Sequence, residues 1–136
     1  MEGYFAKCAA RQNVQPEYHV EFYESEDGTC PAEVFVNSLD DKMSAKIYRV
    51  LGMLEKNGPD LRGPYSKHLD DGIFEARARI GSDITRVLFF FYVDKRIIAT
   101  HGFMKKTQKT PPAEIARAKS HRTAFIEKEA RKHENA

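Results

Sequence analysis

Tryptophan is absent from this 136-residue chain, cysteine occurs only twice, and neither histidine nor glycine shows the spacing of a metal or phosphate site. Each absence removes a class. Cys8 and Cys30 have neither CxxC spacing nor a framework pattern, which argues against a disulfide scaffold and a zinc module. His19, His68, His101, His121 and His133 form no HExxH or paired-ligand arrangement. With no Gly-rich phosphate loop either, neither a metal enzyme nor a nucleotide-cofactor enzyme is expected, and no cofactor is assigned. No apolar run approaches the roughly 20 residues that span a bilayer. The opening MEGYFAKCAARQ lacks the basic start and apolar core of a secretory signal. The expectation is a cytoplasmic chain with reduced thiols and no membrane partner.

What is present is ordinary in amount and uneven in placement. Hydrophobic content of 41% and charged content of 31% suit one globular domain with its own core. Residues 1–72 hold 8 Lys/Arg against 13 Asp/Glu, net −5, whereas residues 73–136 hold 14 against 7, net +7. Such asymmetry points to a nucleic-acid surface, although a basic terminal helix produces the same count.

Residues 1–17 show no period and are read as an N-terminal extension, either disordered or artificially added. The domain is expected over 18–130. Tyr18–Tyr23 alternates as a strand. Pro31 opens a short helix ending near Leu39, a favoured place for proline. Asp40 or Asp41 can cap a second helix in which Met43, Ile47, Val50, Leu51 and Leu54 recur at helical spacing. Gly58 and Pro59 stop that helix. Residues 59–72 read as a loop, followed by strands over 73–80, 84–93 and 96–103. Thr110 is expected to cap a last helix that begins at two prolines. The order β-α-α-β-β-β-α implies an α+β domain: a mainly antiparallel sheet, a helical hairpin packed on one face, and a C-terminal helix.

Alternation in IFEARARI sets Phe74, Ala76, Ala78 and Ile80 on one face and Glu75, Arg77 and Arg79 on the other. The second face is expected to stay partly open and cationic. It suits a polyanion better than a core.

The run from Lys67 to Ala118 carries a more specific pattern. Lys67, Leu69, Gly72-Ile73-Phe74-Glu75 and Arg77 lead into Arg86-Val87-Leu88; His101-Gly102-Phe103, Lys105-Lys106-Thr107, Lys109-Thr110-Pro111 and Ile115-Ala118 follow. Taken together these resemble the phage-derived, HigB-like branch of the RelE/ParE toxin superfamily, over roughly residues 18–126. The strand and helix order above is that superfamily's order. The resemblance implies the toxin of a type II toxin–antitoxin pair, which cleaves mRNA in the decoding site of the ribosome, against 16S rRNA. It also implies a helix-turn-helix antitoxin as partner in a hetero-oligomer.

Metal-independent RNA cleavage uses the substrate's own 2′-OH as nucleophile. The protein must accept a proton, stabilise a pentavalent phosphate and return a proton to the leaving oxygen. Arginine suits the phosphate role because its planar fork donates two hydrogen bonds and stays charged. Arg77 and Arg86 match basic positions of the family and are the first choices, though Arg77 and Arg79 can equally pair with Glu75 or solvent. Lys105 and Lys106, with Lys109 beyond, can bind phosphate, and Lys106 can donate the proton; the plainer reading is a solvated turn. For the base, Glu75 competes with His68, placed in the basic loop beside Lys67, and with His101. His101 is expected to share a face with Ile97, Ala99 and Phe103 as a buried histidine. Tyr92 can stack on a base or pack at an edge. Two other functions stay open: a non-catalytic, ParE-like inhibitor of DNA gyrase, and an inactive phage-derived nucleic-acid-binding module.

Overall fold

The computed structural model describes residues 16–106 and 108–134; the predicted extension over 1–17 lies almost wholly outside them. Strand β1 (His19–Phe22) leads to helices α1 (Pro31–Ser38) and α2 (Asp41–Asn57), then to a 3-10 turn at Gly58–Asp60. Strands β2 (Ser66–Asp70), β3 (Ile73–Ile80), β4 (Asp83–Tyr92) and β5 (Arg96–Lys105) follow, and α3 (Pro112–Glu134) closes the chain. The five strands form one sheet in the order β1-β5-β4-β3-β2, antiparallel except for β1 beside β5. This is the α+β, RelE-like arrangement predicted from the sequence, with one strand more.

The ends of the helical hairpin follow the predicted chemistry. The Asp40 carboxylate accepts from the Met43 backbone N–H at 2.9 Å and caps α2. Gly58 ends that helix at φ 54, where a Cβ would lie 2.3 Å from the Tyr18 ring, so only glycine fits. The apolar stripe of α2, Met43, Ile47, Val50, Leu51 and Leu54, is buried against Ala76, Ala78, Val87, Phe89, Ile97 and Ala99 of the sheet. Buried beside it is Glu55, whose carboxylate accepts the Val20 N–H at 2.8 Å. Burial raises its pKa to about 7.

Four expectations need correcting. The 59–72 segment is not all loop: Ser66–Asp70 pairs antiparallel with β3, because Asp71 and Gly72 at positive φ make a tight turn between them. The second sheet face is open only in part: Lys67, Arg79 and Lys105 are exposed on it, but its centre is covered. Helix α3 lies over it, and Ile73, Leu88, Phe90, Ile98 and Phe103 pack with its Ala118 and Phe125 in a second core. His101 does not share a face with Ile97 and Ala99. The β4–β5 register shifts between Leu88 and Phe89, leaving Thr100 as an extra residue; beyond it His101 and Phe103 fall on the side of Ile98. Finally, α3 begins at Pro112, and the Thr110 hydroxyl donates to Glu75 instead of capping the helix.

Candidate active site

Antiparallel pairing puts directly opposed residues on the same face, so the register of β2 to β5 defines three rows on the face that α3 covers in part. The first row is Lys67, Glu75, Leu88 and His101; the second is Arg77, Arg86 and Phe103; the third is Arg79, Ile84 and Lys105. The predicted alternation of β3 is therefore right, and it gathers most of the proposed site. What differs is the burial. Glu75 is 1% exposed and Arg86 0%.

Glu75 is the hub. Its Oε1 lies 3.4 Å from Arg86 Nε and its Oε2 3.4 Å from Arg77 Nε. The Thr110 hydroxyl donates to Oε1. Burial lowers the Arg86 pKa from its ordinary value while Glu75 opposes that shift, and the guanidinium stays charged. Its Cζ stands 5.6 Å from the Phe103 ring centroid, a cation–π contact. Arg77 is different: its side chain is 19% exposed, and Nη2 donates to the Gln108 side chain at 3.1 Å. One guanidinium thus touches the buried carboxylate and also reaches the surface.

That surface is a groove of about 640 Å³ along the edge of β3. The last β2 partner on β3 is Ala76, opposite Ser66; from there to the end of β3 the edge is not covered by β2. Lys46, Arg49, Val50 and Met53 of α2 line one side, and Tyr65, Arg77, Arg79 and Gln108 line others. Lys46 Nζ donates to the Arg79 carbonyl, closing part of the uncovered edge. The lining holds four cations and no carboxylate.

The remaining predicted residues fall in different places. Arg79, Lys105, Lys106 and Lys109 are exposed around the third row, and Lys67 is exposed at the β2 edge. His68 belongs to that strand and not to a loop. It is exposed and opposes Phe74, its ring 5.0 Å from that of Phe74, so the sheet separates it from Glu75. His101 is 1% exposed, with ring nitrogens 3.1 Å from the Thr100 hydroxyl and 3.3 Å from Glu114. Burial, with Arg117 and His121 nearby, pushes its pKa down to about 3, so it is a neutral core histidine. Tyr92 packs at the far end of β4, its ring 5.0 Å from Phe125 and under Arg96. Among the described residues no group of His, Cys, Asp and Glu has the arrangement of a metal site, and no helix is long and apolar enough to cross a membrane.

A family model described as phage-derived protein Gp49-like (DUF891) matches residues 34–123, more than half of the chain. The chain belongs to the Gp49-like family. The matched span of this Gp49-like chain runs from inside α1 to inside α3, so the Glu75 cluster and the cationic groove both lie within it. Strand β1 lies outside. No curated protein matches the chain.

Sequence reasoning missed Lys46, Arg49, Tyr65, Gln108 and Thr110. Lys46 and Arg49 belong to the half whose net charge is −5, which counted against them. Their signal was positional: Lys46, Arg49, Val50 and Met53 recur at i, i+3, i+4 and i+7, a single helix face bordering the core stripe. Tyr65 and Gln108 carried no signal, because only tertiary pairing brings them to β3.

Proposed function

We propose that this chain is the toxin of a type II toxin–antitoxin pair: a cytoplasmic endoribonuclease that cleaves ribosome-bound mRNA and is neutralised by a helix-turn-helix antitoxin. Membership of the Gp49-like family supports a toxin-type protein, and the residues that resemble the HigB-like branch support cleavage. The single observation that carries the reading is Arg77. It is braced by the buried Glu75 and by Gln108, yet opens into a groove whose charged lining residues are all cations.

The chemistry is transfer within the substrate. The RNA 2′-OH attacks the adjacent phosphorus, the bond to the 5′ oxygen of the next nucleotide breaks, and a 2′,3′-cyclic phosphate and a 5′-OH end remain. No metal is required for this step. Arg77 is positioned to stabilise the charge gathered on the phosphoryl oxygens, and a fixed orientation makes it more effective than a mobile lysine. Arg86 acts through Glu75: two guanidiniums sharing one carboxylate hold Arg77 where a phosphate can meet it. Lys106, exposed at the end of β5 beside Lys105, suits protonation of the leaving oxygen. Glu75 remains the carboxylate nearest Arg77 for accepting the 2′-OH proton, and reaching it requires the Thr110 contact to open.

The test is controlled expression with primer extension on cellular mRNA. Growth arrest is expected with new 5′ ends inside translated regions. Arg77→Ala should abolish both while the protein stays folded, its unfolding midpoint lowered by the lost contact with Glu75, which keeps Arg86 as partner. Arrest with intact mRNA and inhibited gyrase would replace this reading with the gyrase-directed one.

A further inference from the structure

The groove extends well beyond Arg77, and the cleavage step uses only that end of it. Its α2 side presents Lys46 and Arg49 one turn apart over Val50 and Met53, and Tyr65 stands 40% exposed at the point where β2 leaves β3. Tyr65 is held there by its backbone: its carbonyl accepts from Arg77 N–H at 2.9 Å, and its own N–H donates to the Arg62 carbonyl at 3.1 Å. Lys46 is fixed by its bond to the Arg79 carbonyl. A cationic wall, an apolar floor and an exposed aromatic ring therefore stand in one cleft; the floor borrows Val50 from the core, whereas Lys46, Arg49 and Tyr65 lie outside it.

We propose that this groove is a subsite for the single-stranded RNA flanking the cleaved bond, with Lys46 and Arg49 holding its phosphates and Tyr65 stacking on one unpaired base. The proposal rests on the nuclease reading for its substrate. Single-strand binders combine cationic grooves with aromatic platforms, because every base offers a π face while its phosphates track the charge. Ligand clefts run to about 300–1,000 Å³. At about 640 Å³ this one has room for nucleotide units, and single strands, unlike duplexes, can turn a base out to meet an aromatic ring. The absence of carboxylates from the lining removes the repulsion that a phosphate chain would meet elsewhere on this half of the protein.

The experiment uses the full chain and a short, labelled, single-stranded oligoribonucleotide carrying 2′-O-methyl groups, which cannot be cleaved. Affinity is read by fluorescence anisotropy across a salt series. Tyr65→Ala should weaken binding roughly 10-fold with the salt slope unchanged, and Tyr65→Phe should restore it. The Lys46→Ala/Arg49→Ala double variant should make the slope shallower by about 1.4, two phosphates at about 0.7 each. If that variant unfolds, Arg49→Glu alone carries the charge arm. No binding by the wild-type chain, a Tyr65→Ala variant that binds like wild type, or an unchanged slope would each overturn the proposal. Equal affinity for the DNA oligomer of the same sequence would remove RNA from it. Binding as described with no cleavage of cellular mRNA would refute the nuclease and leave the subsite standing; cleavage indifferent to all these substitutions would do the reverse.

Discussion

Removing the Glu75 carboxylate tests whether the buried cluster is structural support or proton-transfer machinery. In Glu75→Leu, shape is approximately kept, but a fully buried guanidinium at Arg86 loses the carboxylate 3.4 Å from its Nε, and Thr110 loses its acceptor. Breaking a buried ion pair from one side costs about 3–5 kcal/mol, since the surviving charge keeps its desolvation penalty. A domain of this size has only about 5–15 kcal/mol in total. The unfolding midpoint should fall by about 10 °C or more. The second substitution decides the matter. In Glu75→Leu/Arg86→Met the buried charge is gone as well, and a Met side chain can pack against Phe103 and Leu88. Most of the lost stability should return, giving a coupling energy of at least about 2 kcal/mol in a double-mutant cycle. Urea titration of the four proteins measures it. Loss of under about 1 kcal/mol in Glu75→Leu, or strictly additive effects, would refute the argument that Glu75 exists to hold Arg86 and Arg77 in place.

Glu55 should make folding pH-dependent in the opposite sense from an ordinary carboxylate. Its folded pKa is raised to about 7 from 4.5, so the stability it contributes is fully present below pH 4.5 and is lost as pH rises through 7. The difference between wild type and Glu55→Gln should change by about 3 kcal/mol between pH 4 and pH 8; taking that difference cancels the opposing titration of His101, whose pKa is depressed. Arg96 binds Glu21 at 2.6 and 3.0 Å and Glu129 at 2.8 Å, joining β5, β1 and α3. Arg96→Ala should cost about 2 kcal/mol and speed amide hydrogen exchange along α3 more than along α2. The Lys105→Ala/Lys106→Ala double variant should weaken ribosome or RNA binding and flatten its salt dependence, with the unfolding midpoint unchanged because both side chains are exposed.

The fold was legible where local rules and burial agree. The α2 stripe, the Asp40 cap, the Gly58 stop and the alternation of β3 all express one periodicity each, and each element follows it. Strand β2 was hidden because SKHLD has little apolar content; its place depends on the β3 edge it pairs with rather than on its own residues. The two-sided burial of the sheet was hidden for a related reason. A charged β3 face reads as solvent-exposed, but here a carboxylate between two guanidiniums lets α3 and its leading segment close over it. At the site, residue types on β3 and β4 were readable and their burial was not. Arg86 looks like a surface cation in the sequence and is the largest fully buried side chain in the structure. The face of His101 was misread because one unpaired residue, invisible to alternation, intervenes.

That extra residue, Thr100, makes β5 two strands in one. Its first half, Arg96–Ala99, is clamped between β1 and β4, and its second half, from His101 onward, pairs only with β4 and carries Phe103 and Lys105 toward the site. Deleting Thr100 would take out the bulge and leave both ends facing as they do: Ala99 would still oppose Phe89, His101 would follow it opposite Leu88, and Phe103 and Lys105 would keep the rows of Arg86 and Ile84. Drawing Thr100 into regular pairing opposite Leu88 would do the reverse. His101 would then take the place opposite Val87 now held by Gly102, where even a Cβ would lie 2.4 Å from the Phe35 ring, and Phe103 and Lys105 would each change face. The half of the strand that holds the sheet together and the half that displays cations are therefore geared by one residue's staying out of the ladder.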